Sequence, residues 1–393
     1  MKNKLILAVS GIALVMLLGI GGFYYFQAQS ASPIKIGVVL PQSGDFAAFG
    51  ILGIQGAQLA VDEINAQGGV LNGKSFELVI GDSQSDPNVS VRLMRKFIQE
   101  EDVFAILGPV SSSARNAMVE VAKQFKVPLL YGIDYEGGQF ERYLFCYSPI
   151  PDHVIAPLIP YLTEQENSKK FYIFGYDYEW PHGMAKAVEN AVSKVNGQVV
   201  GTEFTPFGVQ DYSKTFDKIK SSGADTLILV MCGLDGQRFA KQFYHSGLRG
   251  QVKLVAIAAE ETWETGLPAE ELEGIITNVH FVRSLERSEA QAFVSRLKKK
   301  FGETASITYS TESHYGLMMM LRDAIQKVGQ LDKEKIIAAL EDSQITVGNG
   351  VVSMRKDHHM NLNMVIARYH AGKLIAEKQI GLVKPEDQRK ISQ

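Results

Sequence analysis

The stretch Ile34–Asp82 reads IKIGVVL-PQSGDFAAFG-ILGIQGAQLAVDEINA-QGGVLNGKS-FELVIGD, and its periodicity decides the class of fold. Ile34–Leu40 is a short, mostly apolar run and predicts a strand. After a Gly/Ser loop, Ile51, Ile54, Gln58/Leu59, Val61 and Ile64 recur three to four residues apart, which predicts a helix from about Gly50 to Ala66. Phe76–Gly81 returns to strand. The rhythm continues outward: helix from Pro87, strand at Phe104–Leu107, helix from Ser111, strand at Val127–Tyr131. It resumes with strands at Phe171–Phe174, Val199–Thr205, Thr226–Val230 and Lys253–Ile257, separated by helical segments, and ends on a strand at Met364–Tyr369. Strands alternating with helices of this length predict parallel sheets covered on both faces, an α/β protein. Two runs of strands favour two doubly wound three-layer lobes, with a closed barrel as the alternative. In open α/β sheets ligands bind beyond the carboxyl ends of the strands, so two facing lobes would make a cleft there.

One motif inside the opening stretch is misleading. Gly68-Gly-Val-Leu-Asn-Gly73-Lys74-Ser75 matches the phosphate-loop pattern G-x-x-x-x-G-K-[ST]. That loop must follow a strand and open a helix, whose N-terminus cradles the phosphate. Here a helix precedes it and a strand follows, so the reading is a glycine-rich turn and not a nucleotide site. No G-x-S-x-G, H-E-x-x-H or C-x-x-C appears, the eight histidines are scattered, and no catalytic, metal or cofactor site is expected.

The chain of 393 residues is long for one core and predicts about two domains. Lys+Arg 40 against Asp+Glu 43 leaves a net charge of -3 with no basic stripe, which argues against a nucleic-acid partner. Cys146 and Cys232 are too few and too far apart for a disulfide framework and are expected to be small buried hydrophobes. Lys2 and Lys4 precede an uncharged apolar run from Leu5 to Phe26, the layout of an export signal. Its length also suffices to span a bilayer, so residues 1–31 are read as a signal peptide or an uncleaved anchor. The positive-inside rule places the remainder outside the cytoplasm.

Several segments together resemble the type I periplasmic solute-binding proteins of the leucine/isoleucine/valine-binding family. They are Ile34–Gly44, the run Gly53-x-x-Gly56-x-x-Leu59-Ala-x-Asp62-Glu63-Ile64-Asn65-x-x-Gly68-Gly69, Asp82–Pro87 and Gly108–Ala114. Tyr135-Glu136-Gly137 and Asp177–Pro181 resemble the members that bind urea or short amides. The resemblance implies two lobes joined by three crossovers that close on a small ligand. It places lobe 1 at 34–149 plus 280–352, lobe 2 at 150–279 plus 353–383, and a tail at 384–393. It implies a monomeric receptor feeding the membrane permease of an ABC transporter; a membrane-tethered sensor of the same fold is the alternative, and a hydrolase using the same cleft a third reading.

Candidate ligand contacts follow. Ser111, Ser112 and Ser113 start a helix after a strand, where free N–H groups and hydroxyls suit a carboxylate or carbonyl oxygen; the family motif puts Ser112 at the ligand. The next strand ends in Tyr131-Gly-Ile133-Asp-Tyr135, where the family usually carries Thr or Ser. Ile133 departs from that, leaving contacts to its backbone or to Tyr131 and Tyr135. Tyr178 and Trp180 would supply an aromatic wall across the cleft. Glu260, with Glu261 as its rival, is placed to receive a ligand ammonium, and Asp235 is a further candidate. A helix-start carboxylate site opposite Glu260 favours an amino acid; the YEG and DYEWP stretches favour an amide.

Overall fold

The computed structural model describes residues 32–391; the export or anchor segment at 1–31 lies outside the described residues. The first sheet contains β1 (Ile34–Leu40), β2 (Phe76–Asp82), β3 (Ala105–Leu107), β4 (Leu129–Tyr131) and β5 (Leu144–Cys146). Their order is β2-β1-β3-β4-β5 and every pair is parallel. Between them run α1 (Ala47–Ala66), α2 (Pro87–Glu100) and α3 (Ser112–Phe125). Local chemistry sets two of these starts. Asp86 caps α2 through the N–H groups of Asn88 and Val89, with Pro87 at the first turn, and Ser111 caps α3 through Ala114 N–H at 3.3 Å.

After α4 (Pro151–Glu164) the second sheet begins: β6 (Lys170–Tyr176), α5 (Glu179–Ser193), β7 (Gln198–Thr205), α6 (Ser213–Ser222), β8 (Thr226–Val230), α7 (Gly233–His245) and β9 (Lys253–Ala256). Two single turns, α8 (Trp263–Gly266) and α9 (Ala269–Leu272), lead to β10 (Ile276–Val279). The chain then returns to the first lobe through α10 (Ser288–Phe301), α11 (Tyr309–Val328) and α12 (Lys333–Leu340). It ends in four strands: β11 (Gln344–Val347), β12 (Gly350–Met354), β13 (Met360–His370) and β14 (Lys373–Val383).

The expectation of wholly parallel sheets needs correction. β7-β6-β8-β9-β10 is parallel, but β13 joins β10 antiparallel, and β14 and the β11–β12 hairpin extend it antiparallel. Connection length explains this. Two residues, Ala371 and Gly372, link β13 to β14, and a turn that short can only join antiparallel strands. The glycine-rich 68–75 segment behaves as read from the sequence: it turns from α1 into β2, with Val70 and Lys74 bridging. The end of the chain is docked. Gln388 is buried, accepts from Gly138 N–H at 2.7 Å and donates its own N–H to Asp357 at 2.9 Å.

α11 lies against α1, and glycine makes the approach possible. A Cβ on Gly56 would stand 2.0 Å from Thr311 O, and one on Gly53 would stand 2.9 Å from His314 Nδ1. Gly56→Ala is therefore expected to force the helices apart and cost roughly 1–3 kcal/mol, the range for overpacking. Because Thr311 is two residues from Tyr309, ligand affinity should fall with it; chemical denaturation alongside ligand titration measures both.

Candidate functional site

The tips of β3, β4, β6, β8 and β9 converge on a small, nearly closed cavity between the lobes. The first lobe supplies Phe46, Phe49, Val110, Ser111, Ser112, Ile133, Asp134 and Tyr309; the second supplies Tyr178, Trp180, Cys232 and Ala258. The lobes touch over it. Phe46 meets Phe207 edge-on at 6.0 Å, and the Ser113 hydroxyl donates to Glu179 Oε2 at 2.7 Å. Gly233 approaches so closely that a Cβ there would lie 2.7 Å from Asp45 O. This is a closed cleft.

The three serines at the start of α3 have different duties. The Ser112 hydroxyl donates to Glu136 Oε2 at 2.6 Å, and Ser113 is engaged by Glu179. Ser111 accepts from Ala114 N–H, so its proton has no protein acceptor among the described residues and remains to be donated. A carboxylate arriving here meets that hydroxyl and the backbone N–H groups of the first helical turn. Behind them lies Arg115, 1% exposed, paired with Glu136 at 2.7 Å and also donating to Ser112 Oγ at 3.2 Å. Its guanidinium sits 4.1 Å from the centre of the Tyr135 ring.

Of the residues selected from sequence, Ser111, Ser112, Ile133, Tyr178 and Trp180 line the cavity. Ser113, Tyr131, Tyr135, Asp235 and Glu260 do not line it, and each has another partner. Tyr131 donates to Val110 O at 2.8 Å; Tyr135 bonds to the His359 ring. Asp235 holds Gly208 N–H at 2.7 Å and pairs with Arg238. The Glu260 carboxylate folds back on Thr262, accepting its N–H at 3.0 Å and its hydroxyl. Burial pushes Glu260 up to about 7, against those two hydrogen bonds, and burial pushes Glu261 up to about 8.

Asp134 and Tyr309 were not selected. Asp134 follows Ile133 beyond β4, and its Oδ1 accepts from the Tyr309 hydroxyl at 3.0 Å. Burial raises the Asp134 carboxyl to about 6, with the Tyr309 bond pulling the other way. Its position just past a strand tip was a readable signal. Tyr309 had none, because it arrives from a helix 175 residues further along. Ala258 holds φ at +64°, a strained left-handed conformation for a residue with a side chain, at the cavity wall. Among the described residues no His/Cys/Asp/Glu cluster could hold a metal ion, and no helix is long and apolar enough to cross a membrane.

Comparison with known proteins agrees with this geometry. Residues 33–373 match the family model described as periplasmic binding protein. The Leu/Ile/Val-binding protein homolog 7 of Brucella abortus (strain 2308) is 25% identical over 376 residues, covering 88% of this chain and 92% of that protein. The branched-chain amino acid substrate-binding protein LivJ of Streptococcus pneumoniae, solved with isoleucine, is 25% identical with a TM-score of 0.79, covering 90% of this chain and 100% of that one. A solute-binding protein of an ABC transporter from R. palustris, solved with 4-hydroxybenzoate, is also 25% identical with a TM-score of 0.79, covering 91% and 98%. With a two-lobed fold closing over a small cavity and a family model spanning most of its length, the chain belongs to the periplasmic binding proteins, a family of exported small-molecule receptors and not an enzyme class.

Proposed function

We propose that this protein is the solute-binding component of an ABC uptake transporter, capturing a small ligand that carries a carboxylate or carboxamide and presenting it to a membrane permease. The observation that carries this reading is a cavity built from strand tips of both lobes, with the lobes in contact across it. A ligand touching both walls stabilises the closed arrangement over the open one by its differential contacts, which is all that closure requires. The start of α3 and the Ser111 hydroxyl offer donors to a carboxylate or carbonyl oxygen, and five aromatic rings enclose the remainder. The isoleucine-bound and hydroxybenzoate-bound relatives both hold carboxylates, which supports the same polarity here.

A ligand that binds only the folded state raises its stability by RT ln(1 + [L]/Kd), about 2.7 kcal/mol at a hundredfold excess over Kd. A thermal-shift screen over amino acids, urea, short amides and benzoates is expected to contain members that raise the midpoint by several degrees. Small-angle scattering should show the same members compacting the molecule. No shift across all four classes would refute the proposal.

A further inference from the structure

The chain passes between the two lobes three times: after β5, after β10 and through the β11–β12 hairpin. One side chain reaches all three passages. Glu312, in the first turn of α11, accepts at Oε1 from the Tyr147 hydroxyl at 3.2 Å, just past β5, and from Asn349 N–H at 2.9 Å, in the β11–β12 turn. Its Oε2 stands 3.4 Å from Nε2 of His280, the residue that follows β10. The Asn349 side-chain amide closes the circle by donating to His280 O. None of these four residues is more than 1% exposed.

This junction is only half satisfied. Glu312 Oε2 and His280 Nε2 share no hydrogen bond, and neither they nor His280 Nδ1 have another partner among the described residues. The rings of Tyr309 and Tyr147 flank the imidazole, with centres 5.6 and 6.2 Å away, but their hydroxyls are given to Asp134 and to Glu312. Buried polar atoms in folded proteins are nearly all satisfied, and a partly satisfied buried network is costly. The closed arrangement therefore carries an unmet cost at the place about which the lobes turn. Taking the closing motion from the solute-binding reading above, we infer that Glu312 and His280 form a brake on the hinge, which opposes closure and keeps the unliganded molecule open. Opening turns the three passages relative to α11, and a slight turn brings ring and carboxylate into line or admits water between them. Glu312 lines neither the cleft cavity nor the smaller one behind it, whereas His280 lines the latter. Glu312 is thus a positioning residue: it sets affinity through closure, without touching the ligand.

Small-angle scattering without ligand tests this first on the unmodified protein, which is expected to be more extended than the closed arrangement. Glu312→Gln keeps an acceptor for Tyr147 and Asn349 and turns Oε2 into an NH2 group able to donate to the imidazole. The ratio of closed to open molecules should rise at least about fivefold in the unliganded variant, read as a compaction that a merely structural defect would not produce. Calorimetry with leucine, phenylalanine, benzoate, acetamide and urea supplies the second reading. Every probe that binds should bind the variant tighter by one common factor of about 5 or more, because the cost of closure is shared by all of them. Far-UV circular dichroism establishes that the variant folds, and scattering from the unmodified protein keeps its force if it does not. An unliganded protein that already scatters as the closed form, a variant no more compact than its parent, or gains that differ from probe to probe would overturn the inference and leave the receptor reading standing. Failure of every probe to bind would count against the receptor reading alone, since the two scattering curves decide the hinge without a ligand.

Discussion

Arg115→Ala is expected to cost about 3–5 kcal/mol of folding stability, the range for removing one partner of a buried ion pair. The guanidinium is 1% exposed and serves four acceptors: Glu136 at 2.7 Å, Ser112 Oγ at 3.2 Å, Gln139 Oε1 at 3.0 Å and Asn116 Oδ1 at 2.9 Å. It also lies over the rings of Tyr135 and Tyr131, at 4.1 and 5.2 Å. Truncation leaves the Glu136 carboxylate without its counter-charge beside the first turn of α3. The same change should weaken a carboxylate ligand, because the uncompensated Glu136 repels it from the helix start. Arg115→Lys retains one charge but not the planar fork, so it should recover only part of the loss. Urea unfolding followed by far-UV circular dichroism measures the effect; a loss below about 1 kcal/mol would show that Arg115 does not hold this corner together.

Stability is expected to fall on the alkaline side of neutrality, an unusual direction for a protein of ordinary composition. Burial, the dominant cause for each, raises Glu260 to about 7 and Glu261 to about 8, whereas unfolded glutamate titrates near 4.3. Over the interval between those values the folded state binds protons that the unfolded chain has released. Stability is therefore greatest below the unfolded value and is lost as pH rises through the folded ones. Between about pH 6.5 and 8.5 the two groups together account for a loss of about 3 kcal/mol.

Buried imidazoles set the acid limb. Burial depresses His153 to about 3, and His314 and His359 to about 4, so the unfolded chain takes up their protons first and stability falls as pH drops below about 6.5. The opposing slopes nearly cancel between about pH 5 and 6.5, where the maximum is expected. Denaturation midpoints measured from pH 4 to 9 check the curve. The Glu260→Gln/Glu261→Gln double variant should flatten its alkaline limb; a limb that is already flat in the unmodified protein would contradict the assignment.

Much of the fold was legible at the level of single elements. β1, α1 and β2 follow from the apolar spacing in 34–82, and α2 from its Asp86-Pro87 start, because periodicity and capping act over a few residues. The reversed order around Gly68–Ser75 excluded a phosphate site for the same local reason. Less could be read at the end of the chain. β11, β12 and β14 went unrecognised, and exposed residues such as Val351, Ile375 and Leu382 blur their alternation. α4 was also missed; it carries Pro157 and Pro160 within its span, which disguise a helix in sequence.

The sequence alone determined the α/β class and the helix start at Ser111–Ser113, since both depend on neighbours within one turn or one strand; it favoured two lobes over a barrel and pointed to Tyr178 and Trp180 as a cleft wall. Which hydroxyl remains free, where Glu260 turns, and that Tyr309 meets Asp134 were decided only by tertiary structure. Hydrogen-bond partners compete in space, and groups distant in the chain win or lose that competition only once the lobes have folded around them.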